Sequence, residues 1–431
     1  MHGRSLILVA ISLAVTSGGA AGQEPAGAFE PVPLSLEEAV AAALERSPAL
    51  AQAHAALEQA AASRRSAWGD YLPSFDLRYS FQHSNTGQLD PTGQTIAQTS
   101  HSAQLSGSYD LFTGFRRGHD LRAAGLRFDA ESASVVESEF ATVLNVKAAW
   151  FEAVASRDLV RVEADRVTRQ RDQLAFVARQ LALGRATRSD SLRSSVDLNN
   201  ARLALLTAEN AVRQSVFRLA EAIGLDRPVE PEPGAELALA TVPISRAEAL
   251  DLARASSPAV AAAAASALAA EASAAASRAA WWPSLSLSAG QSLRNDDFPP
   301  EDRSWSVGVS ASYPLFNGFQ RESSIRQAAA QAESAQAQLR AVELATVAAV
   351  DEAYGQVETA RAGVALAEES VTLAREDLRV TEERYRVGLA TILDLQASQI
   401  ALRQAEVDLI QRRFDHALGV ARLESLIGRF L

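Results

Sequence analysis

The chain contains an internal duplication, and this feature constrains its fold more than any other in the 431 residues. Residues 34–74 align without a gap with residues 244–284, including a Ser-Pro-Ala triplet and a closing Pro-Ser pair in both copies. From Tyr109 onward, matching residues occur after a shorter offset, so that Tyr109-Asp-Leu-Phe-Thr-Gly-Phe corresponds to Tyr313-Pro-Leu-Phe-Asn-Gly-Phe. We therefore predict two structural repeats, at residues 34–224 and 244–428, with the same order of elements.

The segment between the repeats, residues 225–243, differs in composition from both of them. It contains Asp226-Arg-Pro-Val-Glu-Pro-Glu-Pro-Gly, in which prolines recur every two or three residues. Because proline removes a backbone donor and clashes with the preceding helical turn, such a segment cannot be helical. We predict a proline-rich linker.

Residues 1–22 have the features of a secretory signal peptide. One arginine precedes a short apolar run, and Ala20-Ala21-Gly22 offers a small-residue cleavage site. The run is too short to span a bilayer as a helix. No other stretch approaches 18 uninterrupted, strongly apolar residues. The sequence predicts an exported chain, cleaved near Gln23, with no transmembrane helix.

Each repeat is predicted to contain helix, strand, strand, helix and helix in that order. Ser35-x-x-Glu38 and Ser245-x-x-Glu248 are capping boxes that open the first helix of each repeat. Strict alternation then predicts strands, since apolar side chains at every second position from Phe75 to Phe81 are separated by polar ones. The same alternation recurs in three further segments. Residues 84–100 and 294–303 are polar and are predicted to be loops.

These strands suit a membrane. Each is roughly ten residues long, which is enough to cross a bilayer when tilted. Fifteen of the 26 aromatic residues lie in 68–115 or 281–319, a concentration typical of the aromatic girdles of a membrane barrel. A soluble β-sandwich shows the same alternation, but four strands between long helices lack a second sheet to cover their apolar face. If the strands do form a membrane barrel, several chains must share one, because about eight strands is the minimum for closure.

The helices that follow each hairpin are very long. No proline occurs between Arg117 and Leu183, and a helix of that length extends about 100 Å. Such a helix cannot be buried within one globule, so it must pack along neighbours as a coiled coil or helical tube. Gly184 and Gly388 are suited to left-handed C-caps, after which the chain reverses into another helix.

Composition and motifs argue against an enzyme. The formal net charge of −11 and the scattered arginines give no electrostatic footprint for nucleic acid. The chain has no cysteine, no nucleophile elbow and no phosphate-binding glycine loop. His83 and His101 flank the first loop but form too small a set for a metal site, and we interpret them as loop residues. The sequence predicts no catalytic residue, no metal and no cofactor.

The two repeats together resemble the TolC family of outer-membrane efflux and type I secretion channels. The most specific segments are Tyr313-Pro-Leu-Phe-Asn-Gly-Phe and Arg384-Tyr-Arg-Val-Gly-Leu-Ala-Thr-Ile-Leu-Asp-Leu, each with a counterpart in the first repeat. The resemblance implies a mainly α-helical protein in the outer membrane of a Gram-negative bacterium. It implies a homotrimer in which four strands per chain build one 12-stranded barrel in lipid, continued by a coiled-coil tunnel in the periplasm.

The resemblance also assigns functional residues. The two helical hairpins would form the periplasmic tip, which opens when a periplasmic adaptor protein and an inner-membrane transporter dock. The residues implied in docking are Gly184, Thr187, Val387, Gly388, Leu389 and Thr391. The protein would then be a passive export duct, and selectivity for drugs, metals, solvents or proteins would belong largely to its partners.

Asp190, Asp394 and Tyr385 are the candidate gate. Three copies of Asp394 brought together by symmetry would form an acidic ring that attracts cations. Thr187-x-x-Asp190 and Thr391-x-x-Asp394 equally fit capping boxes at a helix start. Tyr385 and its neighbour Arg384 could hydrogen-bond across helices near the tip. The sequence leaves open whether the aspartates line a gate or only cap helices.

A second class of function fits the long helices without the membrane. In this alternative the protein is a periplasmic or surface coiled-coil scaffold, used in adhesion and without channel activity. The strand alternation and the aromatic girdles favour the duct.

Overall fold

The computed structural model describes residues 31–89, 95–237 and 239–430. The predicted signal peptide lies outside the described residues. The first repeat contains β1 (Val32–Leu34), α1 (Leu36–Arg46), α2 (Pro48–Gly69), β2 (Ser74–Leu89), β3 (Thr95–Phe112), α3 (Arg116–Ala182) and α4 (Arg188–Ile223). The segment between the repeats contains β4 (Val229–Pro231). The second repeat contains α5 (Arg246–Ser256), α6 (Pro258–Ser277), β5 (Ser284–Asn295), β6 (Asp302–Ser312), α7 (Gln320–Arg386) and α8 (Ile392–Ile427). A short 3₁₀ turn, Arg278–Trp281, follows α6.

The first helix of each repeat begins at the predicted capping box. The Ser35 side chain accepts from the backbone N–H of Glu38, and the Glu38 carboxylate accepts from the backbone N–H of Ser35 at 2.9 Å. Ser245 and Glu248 repeat this arrangement. Two of the otherwise unpaired amides at the helix start are thereby satisfied in each repeat.

The strands form one antiparallel sheet in the order β2, β3, β5, β6. The first hairpin is longer than the sequence indicated: β2 and β3 contain 16 and 18 residues, where roughly ten were expected. Residues 84–89, 95–100, 294–295 and 302–303, interpreted as loop, belong to strands. The interpretation was wrong because backbone pairing continues after the apolar alternation has ended, and periodicity carries no signal there.

The segment between the repeats is packed against the helices. Within it, β4 pairs in parallel with β1, and Val229 is fully buried. The guanidinium of Arg157 on α3 donates to the carbonyl oxygens of Pro231 and Glu232, the latter at 3.0 Å. The prolines therefore exclude helix there without excluding order, and the sequence analysis missed the β1–β4 pair.

Glycines end the last helix of each repeat where the chain is crowded. Gly224 has φ +86°, and a Cβ atom built on it would lie 2.6 Å from the carbonyl oxygen of Arg46. Gly428 has φ +68° and makes the same close approach to the carbonyl oxygen of Ser256. Both conformation and space require glycine at these two junctions.

The long helices pair within each repeat through apolar cores. Val167 on α3 packs with Leu198 and Ala201 on α4. Leu378 on α7 packs in the same way with Leu395 and Leu402 on α8. Each pair is thus an antiparallel coiled-coil hairpin, and its turn lies at the end of the molecule remote from the sheet.

One helical stretch meets the length and composition of a membrane span, which the sequence analysis did not expect. Arg246–Trp281 has a window of mean hydropathy 1.5. The alanines of α6 produce this value, and α6 packs against α3 and α7.

Candidate functional site at the hairpin tips

The two hairpin turns are built alike. The backbone N–H of Gly184 donates to the carbonyl of Leu181, and that of Arg185 donates to Gln180 at 2.8 Å. In the second repeat, Gly388 donates to Tyr385 and Leu389 donates to Arg384, also at 2.8 Å. These paired bonds close the last turn of a helix around a residue in the left-handed conformation. Gly184 and Gly388 have φ +67° and +82°.

Capping boxes open the helices on the other side of both turns. Thr391 donates its backbone N–H and its hydroxyl to Oδ2 of Asp394, both at 2.8 Å, and its Oγ1 accepts from the Asp394 backbone N–H at 3.2 Å. Thr187 and Asp190 make the same three bonds, with distances of 3.0, 2.7 and 3.2 Å. Capping is therefore an observed role of both aspartates.

Threonine hydrogen bonds also set the charge state of these carboxylates. The backbone and side-chain bonds from Thr391 lower the pKa of Asp394, and the positive charge of Arg384 adds to the effect. The pKa of Asp190 is lowered chiefly by the side-chain bond from Thr187. Both groups therefore carry a full negative charge at neutral pH. Asp394 is exposed, whereas Asp190 is half-buried.

Tyr385 connects the two hairpins. Its ring lies 5.7 Å from that of Phe176 on α3, centroid to centroid. Burial raises its pKa, and the negative charge of Asp190 adds to the rise. The predicted Tyr385 and Asp190 thus lie near one another although they belong to different repeats. Asp394 belongs to the same hairpin as Tyr385.

The tips expose apolar side chains to solvent. Val387 and Leu389 are 71% and 70% exposed, on either side of Gly388. In the first repeat the corresponding positions are Leu183, 67% exposed, and the charged Arg185. Leu183 was not predicted as a tip residue, although it aligns with Val387 in the repeat.

A polar seam joins the two hairpins above the tip, and the sequence analysis missed it. We use the name polar seam for six side chains: Glu163 and Gln170 of α3, Asp197 of α4, and Gln396, Gln399 and Arg403 of α8. Glu163 Oε1 accepts from Arg403 at 2.7 Å, and the Gln170 amide donates to Gln399 at 2.8 Å. Asp197 accepts from Gln396. These bonds between the hairpins are polar, unlike the apolar cores within each hairpin.

The two histidines that were predicted to lie in a loop, His83 and His101, lie in strands. His83 and His101 lie in β2 and β3, where the Nδ1 atom of His101 is 2.8 Å from the Tyr79 hydroxyl. His83 Nδ1 is 3.1 Å from the Thr99 hydroxyl. Within residues 31–89, 95–237 and 239–430, no three His, Asp or Glu side chains gather in a way that could hold a metal ion.

Comparison with known proteins identifies the family. The sequence model of the family described as "Outer membrane efflux protein" matches residues 39–225 and 249–429. Protein CyaE of Bordetella pertussis is 30% identical over 91% of this chain and 82% of its own length. Outer membrane efflux protein BepC of Brucella suis is 25% identical over 78% of each chain. Alkaline protease secretion protein AprF of Pseudomonas aeruginosa is 26% identical over 74% of this chain and 67% of its own length.

Solved structures show the same fold at lower identity. The Campylobacter jejuni CmeC outer membrane channel superposes with a TM-score of 0.78 and 16% identity, covering 91% of this chain and 85% of that one. CusC gives a TM-score of 0.78 and 18% identity, covering 95% and 96% of the two chains. Both repeats have the order helix, strand, strand, helix, helix, with a sheet at one end of the molecule and paired helical hairpins at the other. The chain belongs to the outer membrane efflux protein family, whose members are channels of the Gram-negative outer membrane with a large periplasmic helical portion.

Proposed function

We propose that three copies of the chain form a passive export duct, opened at the hairpin tips by a periplasmic adaptor and an inner-membrane transporter. The observation that carries the proposal is that the chain has uncovered surfaces at both of its ends. The sheet exposes an apolar face, with Phe75 and Leu77 more than 70% exposed, and the tips expose Val387 and Leu389. The 67-residue helices α3 and α7 join the two ends over about 100 Å.

The sheet requires partner chains. Strands β2 and β6 each pair on one side only, which leaves two edges whose backbone groups lipid cannot satisfy. Four strands are too few to close a barrel, and three chains supply twelve. Closure by symmetric copies satisfies every strand without a second kind of subunit.

The long helices also present a surface for a neighbouring copy. Exposed apolar residues recur at intervals of seven on α7 and at its C-cap: Leu366, Leu373, Val380 and Val387. This stripe is separate from the apolar core that α7 shares with α8. A heptad stripe on the outside of a coiled-coil hairpin is the signature of a further helix packed along it. In the proposed trimer, helices of the adjacent chain cover it.

The tips are suited to docking and gating. The apolar triplet Val387-Gly388-Leu389 is held outward by the tight turn, so a partner can bury these side chains without unfolding the hairpin. Asp394 lies directly beyond the turn and is ionised, so three copies near the threefold axis would form an acidic ring. Tyr385, in contact with α3, would hold the second hairpin against the first in the closed state.

The cargo follows from the partners rather than from the duct. Relatives named for efflux and for alkaline protease secretion are similar to this chain to nearly the same degree. We therefore propose a component of a tripartite efflux pump or a type I secretion system.

Mass measurement of the detergent-extracted protein tests the assembly. We expect about three chain masses, a heat-modifiable band in the outer-membrane fraction, and conductance in planar bilayers. A stable monomer that neither conducts nor shifts on heating would contradict the duct.

A further inference from the structure

The two faces of the sheet differ in chemistry. One face carries exposed apolar side chains, among them Phe81, Trp305 and Val307. The opposite face is lined by serines that pair across strands, Ser80 with Ser102 at 2.7 Å and Ser286 with Ser310 at 2.8 Å. Because a membrane barrel turns its apolar face to lipid, the serine face lines the lumen.

Basic groups interrupt the apolar face at one end only. Among the described side chains on this face of β2, β3, β5 and β6, the ionisable groups other than tyrosine are His83, His101 and Arg303. Alternation places the charged groups of the same strands on the serine face: Asp76, Arg78, Asp110, Arg294 and Asp302. The described part of the apolar face therefore combines three basic side chains with no carboxylate.

The three basic residues lie at the level of the lipid headgroups. His101 is opposite Phe81, His83 is one same-face position further towards the connecting turn, and Arg303 is opposite Leu293. Arg303 and Tyr313 are ten residues apart along β6 and its continuation. At a strand tilt of about 40°, this separation is roughly 25 Å along the membrane normal, which equals the height of the apolar band of a membrane barrel. The connecting turns are at the end opposite the periplasmic helices, so this level is the extracellular leaflet.

Neighbouring side chains position the two imidazoles. The Tyr79 hydroxyl is hydrogen-bonded to Nδ1 of His101 at 2.8 Å, and the phenyl ring of Phe81 lies 5.1 Å from the imidazole, centroid to centroid. Phe298, from the turn between β5 and β6, packs edge-on against the same imidazole at 5.8 Å. In the tautomer that accepts the Tyr79 hydroxyl proton at Nδ1, Nε2 carries the ring proton and is a hydrogen-bond donor.

We propose that His83, His101 and Arg303 bind the phosphate groups of lipid A, the phosphorylated glycolipid of the outer leaflet. The proposal rests on the membrane placement of the sheet in the proposed function. Arg303 supplies a permanent charge and a planar fork that matches phosphate, and the histidines supply further donors. The apolar side chains on the membrane side of the site, such as Trp305, receive the acyl chains. A metal is a poor alternative occupant, because the guanidinium would repel it.

Native mass spectrometry of the detergent-purified protein, titrated with bisphosphorylated lipid A, tests the proposal. Monophosphorylated lipid A and phosphatidylglycerol are titrated in parallel. EDTA is present throughout, because the nearby carboxylates of Asp296 and Asp297 could otherwise hold phosphate through a divalent cation. Since a surface arginine contributes about a fivefold gain in affinity for anionic lipid, Arg303→Gln should weaken lipid A binding about fivefold.

The combined variant Arg303→Gln, His83→Gln, His101→Gln should lose the lipid A adducts. Arg294→Gln is the matched control, since its backbone partner on β6 is Asp302 and its side chain lies on the lumen face. Undiminished binding by the combined variant, an equal loss in the control, or equal binding of phosphatidylglycerol would each overturn the proposal. The same spectra report the number of chains: trimers without a lipid A preference reject only this site, whereas monomers reject the proposed duct.

Discussion

Gly388→Val isolates the contribution of the hairpin turn, because the barrier to this substitution is conformational and not steric. Gly388 has φ +82°, yet a Cβ atom built on it meets no atom within 4 Å. The left-handed conformation costs an ordinary L-residue about 1–2 kcal/mol, and a β-branched side chain lies at or above the upper end of that range. The expected strain is therefore about 2–3 kcal/mol per chain.

A turn can relieve such strain by abandoning the left-handed residue, and the consequences are local. The bond from Leu389 to the carbonyl of Arg384 would be lost, and Val387 and Leu389 would change direction. The sheet lies about 100 Å away, beyond a helix that does not depend on this turn. We expect normal trimers in the outer membrane, lost export, and weakened crosslinking between the tip and the adaptor.

Two further variants separate backbone strain at the turn from the effect of the added side chain. Gly388→Asn should retain most export, because asparagine tolerates the left-handed conformation better than other residues. Gly355→Val places the same side chain in the interior of α7, where a Cβ atom also meets nothing within 4 Å and φ is helical, so it should leave export intact. Full export by Gly388→Val, or an equal loss in Gly355→Val, would show that the turn conformation is not what docking requires.

The remaining predictions concern charges. If Asp394 lines a shared constriction, Asp394→Asn should reduce the preference of the channel for cations in planar bilayers. If Asp394 only caps α8, ion selectivity should stay unchanged. Asp190→Asn makes the same test for the first repeat. The hydrogen bonds from threonine lower the pKa of the Asp190 and Asp394 carboxyls. The contribution of these bonds to stability is therefore complete above about pH 4 and is lost as the pH falls further. Crosslinking at the tips across a pH series would follow this loss. Arg403→Met should destabilise the trimer by about 3 kcal/mol per chain, because Glu163 is 1% exposed and, among the described residues, would keep Arg166 as its one cationic partner. The double variant Glu163→Met, Arg403→Met should recover most of this loss in chemical denaturation. A double variant as unstable as Arg403→Met alone would contradict a charge-based effect.

Local signals made much of the fold predictable. Capping boxes at Ser35 and Thr391 depend only on residues three apart, and the alternation from Phe75 to Phe81 depends only on a strand with one apolar face. The structure contains all of these elements. Their presence follows from interactions within a few residues, which a single sequence records directly.

What escaped prediction depends on contacts between distant segments. The buried pair of Glu163 with Arg403 spans 240 residues, and nothing near either residue distinguishes it from a solvated charge on a long helix. Pairing of β1 with β4 joins segments about 200 residues apart through strands of three residues, too short for periodicity. His83 was misassigned for a related reason, since its strand continues through backbone pairing after the apolar alternation ends.

The unlike turns of the two repeats have a consequence for symmetry. One turn carries Leu183 and Arg185, and the other carries Val387 and Leu389. In the proposed trimer, six hairpins surround the axis in two alternating kinds. The ring would therefore have approximate sixfold symmetry in its backbone but only threefold symmetry in its side chains. A partner that engages every hairpin must tolerate both surfaces, whereas a partner specific for one surface finds three equivalent sites. Because the two kinds of turn come from separate copies of the duplicated repeat, their side chains can change independently. The proposed ring can therefore present two recognition surfaces on one backbone.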